Sequence, residues 1–409
     1  MKKIITTPFD RNMTPPRQCA FFLPFIWLGA WLCTRRYALK INRVRMEGLK
    51  PPFIVLGNHQ AFMDFIVTPL ALFPHRANYI SELEGFEYYG GKFYRMLGAL
   101  GTRKFVNDLA LITNIRKVIK RGDIIVIYPE ARYANAGTST IIPNSVGKLC
   151  KMLGVPVVTL NMSGNYLRSP IWNTAVRHQA KLKAEITQLF TPQELKAATA
   201  DEVNEKIRSA LAFDEYRYQL ENKIKITYKK RAEGLENVLY KCPVCGSEFK
   251  MQTEGARLFC TGCNAVWEMD EYGRLVKNGE YTHIPDFYEW QRAQVIKEID
   301  EGSYNFDGSV HIESLPNEYN FIDLGGGRLV HNKKGFYLTL TDYGKTEEET
   351  LSFPSADCFS VHTEYDYRGK GVCITLSTTD NTYFIYPRCE GFNPTKIQFA
   401  AEYLYKNHM

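Results

Sequence analysis

Three short apolar runs do most to limit how this chain can fold. Phe53–Leu56, Ile124–Tyr128 and Val155–Leu160 are each bounded by a Gly or a Pro. Runs of this length and composition read as strands buried on both faces, the kind found in parallel sheets. Helical patterns separate them. Asp108–Arg121 has apolar residues at 109, 111, 112, 115, 118 and 119 and stops at Gly122; Ser145–Leu153 stops at Gly154. Strands spaced by helices imply βαβ units, hence an α/β fold built on a mostly parallel sheet. In such sheets the chemistry gathers at the carboxyl ends of the strands.

The first run leads into Leu56-Gly57-Asn58-His59-Gln60-Ala61-Phe62-Met63-Asp64, and Ala61–Leu72 is apolar enough to follow as a helix. His59 and Asp64 then share a strand-to-helix corner, close enough to meet in the first helical turn. A neutral imidazole is suited to taking a proton near pH 7, and a carboxylate behind it fixes its tautomer. The bland alternative is a histidine that caps a helix and does no chemistry. Arg103 and Lys104, and Glu130 with Arg132, fall at or just after other predicted strands, which sets the motif apart from chance. Further along, Val44–Glu47 reads as a strand, Gly85–Leu97 as a helix and Leu100–Val106 as an irregular strand. Val176–Phe190 holds one or two strands. Thr191 with Glu194 forms a capping box, and Asp201–Leu211 and Glu215–Lys230 read as helices.

In order, these blocks resemble the lysophosphatidic acid acyltransferase family, the glycerolipid acyltransferases. Asn58-His59-Gln60-Ala61-Phe62-Met63-Asp64 matches the family's Asn-His-x4-Asp. Gly98 through Arg103-Lys104 is similar to its second block. Tyr128-Pro129-Glu130-Ala131-Arg132 stands for Phe-Pro-Glu-Gly-Thr-Arg, and Gly154-Val155-Pro156-Val157-Val158 for the fourth. The resemblance spans roughly residues 20–215. It implies His59 as general base on an acceptor hydroxyl and Asp64 as its orienting carboxylate. The hydroxyl would attack an acyl-CoA or acyl carrier protein thioester directly. On the same basis Asn58, Arg103, Lys104, Glu130 and Arg132 are substrate-binding candidates, the cations for the phosphate of a lysophosphatidic acid acceptor. The third block departs from the pattern. One residue is missing between Glu130 and Arg132, and the Gly is replaced by Ala131.

The net charge of +7 is concentrated at the N-terminus, where residues 1–50 carry ten Lys/Arg and two acids. Between Arg17 and Arg35-Arg36 lie 17 uncharged residues, Gln18–Thr34, with Trp27 and Trp31. Four placements are open. A spanning helix would be short and would contain Pro24 and Gly29. A cleaved leader lacks a small-x-small site. A buried core helix is the bland reading. A segment lying in one leaflet uses the tryptophans at the interface and the cations on anionic head groups, and fits best. The cluster Lys223–Arg231 reads as a solvated face.

Cys242-Pro-Val-Cys245-Gly and Cys260-Thr-Gly-Cys263-Asn are two Cys-x2-Cys knuckles 14 residues apart. Four thiolates at this spacing can close a structural zinc site, with disulfides or a redox pair as alternatives. Thiolate-bound zinc points to a reducing compartment, hence the cytoplasmic face of a membrane. Four ligands leave no open position for catalysis. Beyond the helix Asp286–Glu301 the pattern turns to seven short strands and a last helix capped by Asn393. That sequence resembles a pleckstrin-homology-like barrel, with Gly325-Gly326-Gly327 as a hairpin turn. The expected organisation is an N-terminal segment (1–39), an acyltransferase domain (40–232), a zinc ribbon (233–280) and a β-rich domain (281–409). No P-loop, dinucleotide fingerprint or nucleic-acid stripe occurs. A membrane-surface acyltransferase and a non-catalytic lipid-binding scaffold are the two readings this leaves.

Overall fold

The computed structural model describes residues 5–341 and 349–407. The three apolar runs are strands, and they lie side by side in the middle of one sheet. The sheet comprises β1 Lys40–Val44, β2 Ile54–Gly57, β3 Ala77–Glu82, β4 Ala99–Thr102, β5 Ile124–Ile127, β6 Val157–Ser163 and β7 Lys183–Phe190. Its order is β1-β7-β6-β2-β5-β3-β4, and all neighbours run parallel except β6 and β7. Alternate residues of the central strands point to opposite faces. Val55, Val126 and Val158 enter one apolar cluster, and Ile54, Ile125 and Val157 enter the other.

The first six helices are α1 Leu23–Thr34, α2 Met63–Ala71, α3 Leu83–Tyr89, α4 Gly91–Met96, α5 Leu109–Lys120 and α6 Ser145–Leu153. Their ends follow the sequence signals. The Asp108 carboxylate accepts from the amides of Ala110 and Leu111 at the start of α5. Gly154 takes the left-handed conformation that closes α6. The Thr191–Glu194 capping box is present.

Four expectations are corrected. The first strand is Lys40–Val44, earlier than Val44–Glu47, because its register is set by pairing with β7. The expected helix 85–97 is two helices broken at Gly90, whose φ is +91°. The helix from Glu215 ends at Glu221, and the chain turns at Lys223 (φ +51°) so that Ile224 and Ile226 enter the core. Gly325-Gly326-Gly327 is no turn. It lies inside the strand Ile322–Asn332, where a Cβ on Gly327 would sit 2.4 Å from the Thr339 carbonyl oxygen.

The two knuckles sit in a five-stranded antiparallel sheet made of β8 Met251–Glu254, β9 Arg257–Cys260, β10 Val266–Met269, β11 Leu275–Lys277 and β12 Glu280–Thr282. This ribbon is welded to its neighbours. Trp267, Met269 and Leu275 share one apolar cluster with Tyr216 and Ile224 of the first domain and with Phe287 and Val295 of the helix Ile284–Asp300.

The C-terminal sheet holds β13 Phe306–Ser314, β14 Ile322–Asn332, β15 Gly335–Leu340, β16 Glu349–Pro354, β17 His362–Glu364, β18 Cys373–Ser377 and β19 Thr382–Pro387. Its order is β16-β15-β14-β13-β19-β18-β17, all antiparallel, and the helix Pro394–Lys406 adds Ile397 and Ala401 to its core. Seven strands and a terminal helix match the expected pattern. Among the described residues the edge strands β16 and β17 are not paired to each other.

The N-terminal stretch is strapped down. Phe9 N donates to Pro316 O at 2.8 Å, and Asn317 Nδ2 to the carbonyls of Ile5 and Thr7. The Gln18 side chain accepts from Ala77 N at the start of β3. Residues 5–18 thus touch both the first sheet and the loop that follows Ser314 in the C-terminal domain.

Candidate active site

The corner after β2 is shaped by close packing. At Gly57 a Cβ would lie 2.8 Å from the Tyr128 ring, so only glycine lets that ring reach the strand end. Tyr128 then stacks on His59, with ring centroids 4.4 Å apart and planes 20° apart, while Tyr133 and Phe65 flank the imidazole at 4.6 and 5.4 Å. His59 Nδ1 lies 3.0 Å from Asp64 Oδ2.

Asp64 is fully buried and is met only by donors. Its Oδ2 also accepts from the amides of Gln60 (2.6 Å) and Ala61 (3.1 Å), and its Oδ1 from Asn165 Nδ2 (2.6 Å). A carboxylate among N–H groups can only accept, so Nδ1 carries a proton, and the neutral tautomer this favours has its lone pair on Nε2. No protein hydrogen bond occupies Nε2 among the described residues, and His59 lines a cleft of about 1730 Å³. An imidazole so held can take a proton from a hydroxyl that enters the cleft.

The cleft has two unlike sides. One arm runs between α5 and α6 and is apolar, walled by Ile112, Ile115, Ile142, Val146 and Leu149 with Ile127 beneath. Near His59 the wall is polar, with Glu82, Glu84, Arg103, Lys104 and Tyr133. The far side belongs to the C-terminal domain, through Phe321, Phe359, Tyr367 and Tyr405. Burial, then the neighbouring Glu82 carboxylate, pushes Glu84 up to about 8. Burial also raises Glu82, but the Lys104 ammonium, together with His362 and His59, turns the net shift downward.

The other expected site residues divide. Asn58 is fully buried and does not reach the cleft. Its Nδ2 donates to Met162 O and Asn161 Oδ1 and its Oδ1 accepts from Met162 N, so it clips the end of β2 to β6. Glu130 is also buried outside the cleft. Its carboxylate accepts from His59 N at 3.2 Å and from Thr140 N and Oγ1 at 2.8 Å, and burial raises its pKa. It fixes the backbone of the histidine. Ala131 takes φ +55°, the left-handed conformation that the family's glycine would hold without strain.

The three cations expected to meet a phosphate all have protein partners. Arg103 donates to the carbonyls of Pro316, Thr379 and Asp380. Lys104 pairs with Glu82 and lies 2.8 Å from His362 Nε2. Arg132 donates to Ser360 Oγ and Val361 O and pairs with Glu402. In this arrangement they form no open phosphate pocket, because the C-terminal domain is docked on them.

Two groups near the histidine were not read from the sequence. Asn165, after β6, is the one partner of Asp64 Oδ1 among the described residues. Gln60 links Met162 O to Glu215, a fully buried carboxyl that burial pushes up to about 8. A polar residue one or two places after Asp-like motifs or strand ends is too common to single out, so neither had a usable signal.

The four knuckle cysteines are brought together. All four Sγ atoms lie within 4.8 Å of one another, with Cys242–Cys263 at 3.7 Å and Cys245–Cys260 at 3.8 Å. A tetrahedron with Zn–S near ~2.3 Å has edges of about 3.8 Å, whereas a disulfide needs about 2.05 Å. The donor set therefore fits a single thiophilic ion, held by Cys242, Cys245, Cys260 and Cys263.

Residues 39–163, the part of the chain that carries this site, match the sequence model of the Acyltransferase family. Among solved structures, the chain is similar to the 1-acyl-sn-glycerophosphate (LPA) acyltransferase PlsC of Thermotoga maritima. The identity is 19%, over 47% of this chain and 78% of that one, with a TM-score of 0.38. No curated protein matches the chain.

Proposed function

We propose that the protein transfers a fatty acyl group from an acyl-CoA or acyl carrier protein thioester to the free hydroxyl of a lysophosphatidic-acid-type glycerolipid. The observation that carries this is the His59–Asp64 pair, with Nε2 bare on a cleft that has an apolar arm. Nε2 takes the hydroxyl proton as the oxygen attacks the thioester carbonyl. Asp64 holds the imidazolium that forms. Collapse of the tetrahedral adduct breaks the C–S bond, and the thiolate leaves with the proton from His59. The products are an ester and a thiol. No Ser or Cys nucleophile is needed, since a thioester is already activated and its attacker has only to be aimed and deprotonated. The apolar arm suits the acyl chain.

The test offers purified full chain an acyl thioester with three acceptors: lysophosphatidic acid, monoacylglycerol and a lysophospholipid with a masked phosphate. Ester formed with lysophosphatidic acid is the expected product. Preference for the neutral acceptor would remove the phosphate from the account and keep the transferase. Intact thioester with all three would leave the scaffolding reading.

Membrane attachment is the second part of this reading. α1 has 12 residues and so rises about 18 Å, well short of about 30 Å of hydrocarbon. No helix among the described residues is long and apolar enough to cross a membrane. Yet Phe21, Phe25, Leu28, Trp31 and Leu32 are all exposed, a stripe at helical spacing with Arg35 and Arg36 at its end. Trp27, on the other side, packs edge-on against Phe73 at 4.7 Å and seats the helix. A helix laid flat in one leaflet of the cytoplasmic face uses this stripe. Replacing Phe25 and Leu28 by Asp is expected to abolish pelleting with anionic vesicles while leaving the fold intact by circular dichroism. Unchanged pelleting would place the attachment elsewhere. Substitution is the cleaner test, since deletion would also remove the strap of residues 5–18.

A further inference from the structure

We propose that Arg103, Lys104 and Arg132 are positioning residues that dock the C-terminal domain as the second wall of the active-site cleft, and do not clamp the acceptor's phosphate. The inference rests on the acyltransferase reading above.

Each cation is spent on the docked domain or on its own neighbours. Arg103 is 7% exposed, and its two terminal nitrogens are shared among three backbone carbonyls, two of them in the loop between β18 and β19. Its Nε is shut off from solvent and has no partner. Arg132 is 3% exposed and is not in the cleft lining. It meets Ser360, Val361 and Glu402, and Glu402 is held from the other side by Arg292 at 2.5 Å. Asn135 extends the same seam, donating to Gln398 Oε1 at 2.7 Å. Lys104 does face the cleft, but Glu82 lines it as well and answers its charge. A phosphate clamp needs N–H groups turned toward the ligand, whereas these are turned toward carbonyls and a carboxylate.

The seam explains the shortened third block. With one residue removed after Glu130, Arg132 follows the left-handed Ala131 and reaches Ser360 and Val361, just before β17, and the terminal helix. Glu402, Tyr405 and Lys406 of that helix then line the cleft. The C-terminal half is thus part of the site, and the acceptor's head meets Phe321, Tyr367 and Arg368 as well as the acyltransferase domain.

The experiment uses the full chain with Arg132→Met and Arg132→Lys. Arg132→Met removes the bonds to Ser360 and Val361 and leaves Glu402 paired with Arg292. It is expected to lower kcat/KM at least tenfold for lysophosphatidic acid and for monoacylglycerol alike. Faster hydrogen exchange in Ser360–Glu364 should accompany it, and Arg132→Lys should regain part of both. A loss confined to KM for the phosphate-bearing acceptor, with exchange in Ser360–Glu364 unchanged, would overturn the proposal and keep the transferase. If wild type acylates no acceptor, the acyltransferase reading fails on its own. Exchange at Ser360–Glu364 then decides the docking: faster in Arg132→Met upholds it, and unchanged protection refutes it.

Discussion

Replacing His59 by Ala is expected to lower the rate of acyl transfer by about 10²–10⁴-fold, the usual worth of a positioned general base. The fold should survive. His59 contributes one ring to a stack with Tyr128, Tyr133 and Phe65, and its backbone bonds to Glu130 and Ala134 do not depend on the side chain. Asp64→Asn should be nearly as damaging for a different reason. Three donors converge on Asp64 Oδ2, the His59 ring and the amides of Gln60 and Ala61. An amide group cannot accept from all of them and from Asn165 as well, so the imidazole loses the partner that keeps Nε2 free of a proton. Steady-state assays of both variants, with thermal melts to confirm folding, check this. A His59→Ala protein with near wild-type turnover would refute the base.

Metal removal is the second large effect. One zinc per folded chain is expected, at Cys242, Cys245, Cys260 and Cys263. Structural zinc sites of this type contribute about 10–16 kcal/mol of binding free energy in isolated domains, so chelation should unfold the ribbon. Here the damage should spread. Trp267, Met269 and Leu275 pack in one cluster with Tyr216 and Ile224 of the first domain and with Phe287. Loss of the ribbon should therefore expose Trp267 and lower the melting temperature of the acyltransferase domain, while the far apolar cluster around Ile115 and Val203 is untouched. Elemental analysis and tryptophan fluorescence before and after a strong chelator give the answer. Two disulfides in protein kept reduced, or full stability without metal, would contradict it.

What could be read from the sequence, and what could not, follows from how locally each feature is determined. β2, β5 and β6 were legible because strands buried on both faces are apolar throughout. The His59–Asp64 corner and the two knuckles were legible because their partners lie within a few residues or at a fixed spacing. The caps at Thr191 and Asn393 needed only their own helices. β1 and β3 were missed or misplaced because Lys-Ile-Asn-Arg-Val and Ala-Asn-Tyr-Ile-Ser-Glu carry no clear period and become strands only through their neighbours. The fate of Arg132 was hidden for the same reason. Its carboxylate partner, Glu402, lies 270 positions away, and no local pattern announces it. Asn165 was hidden too, its amide meeting Asp64 only after the sheet has formed.

The central claim is that this chain moves an acyl group from a thioester to a lipid hydroxyl through His59. The most direct measurement uses acyl-labelled thioester and lysophosphatidic acid, with wild type and His59→Ala side by side at matched concentration on anionic vesicles. The account predicts label in a diacyl lipid for wild type, with one thiol released per ester formed, and label left in the thioester for His59→Ala. Equal transfer by both proteins, or an intact thioester with wild type, would contradict it.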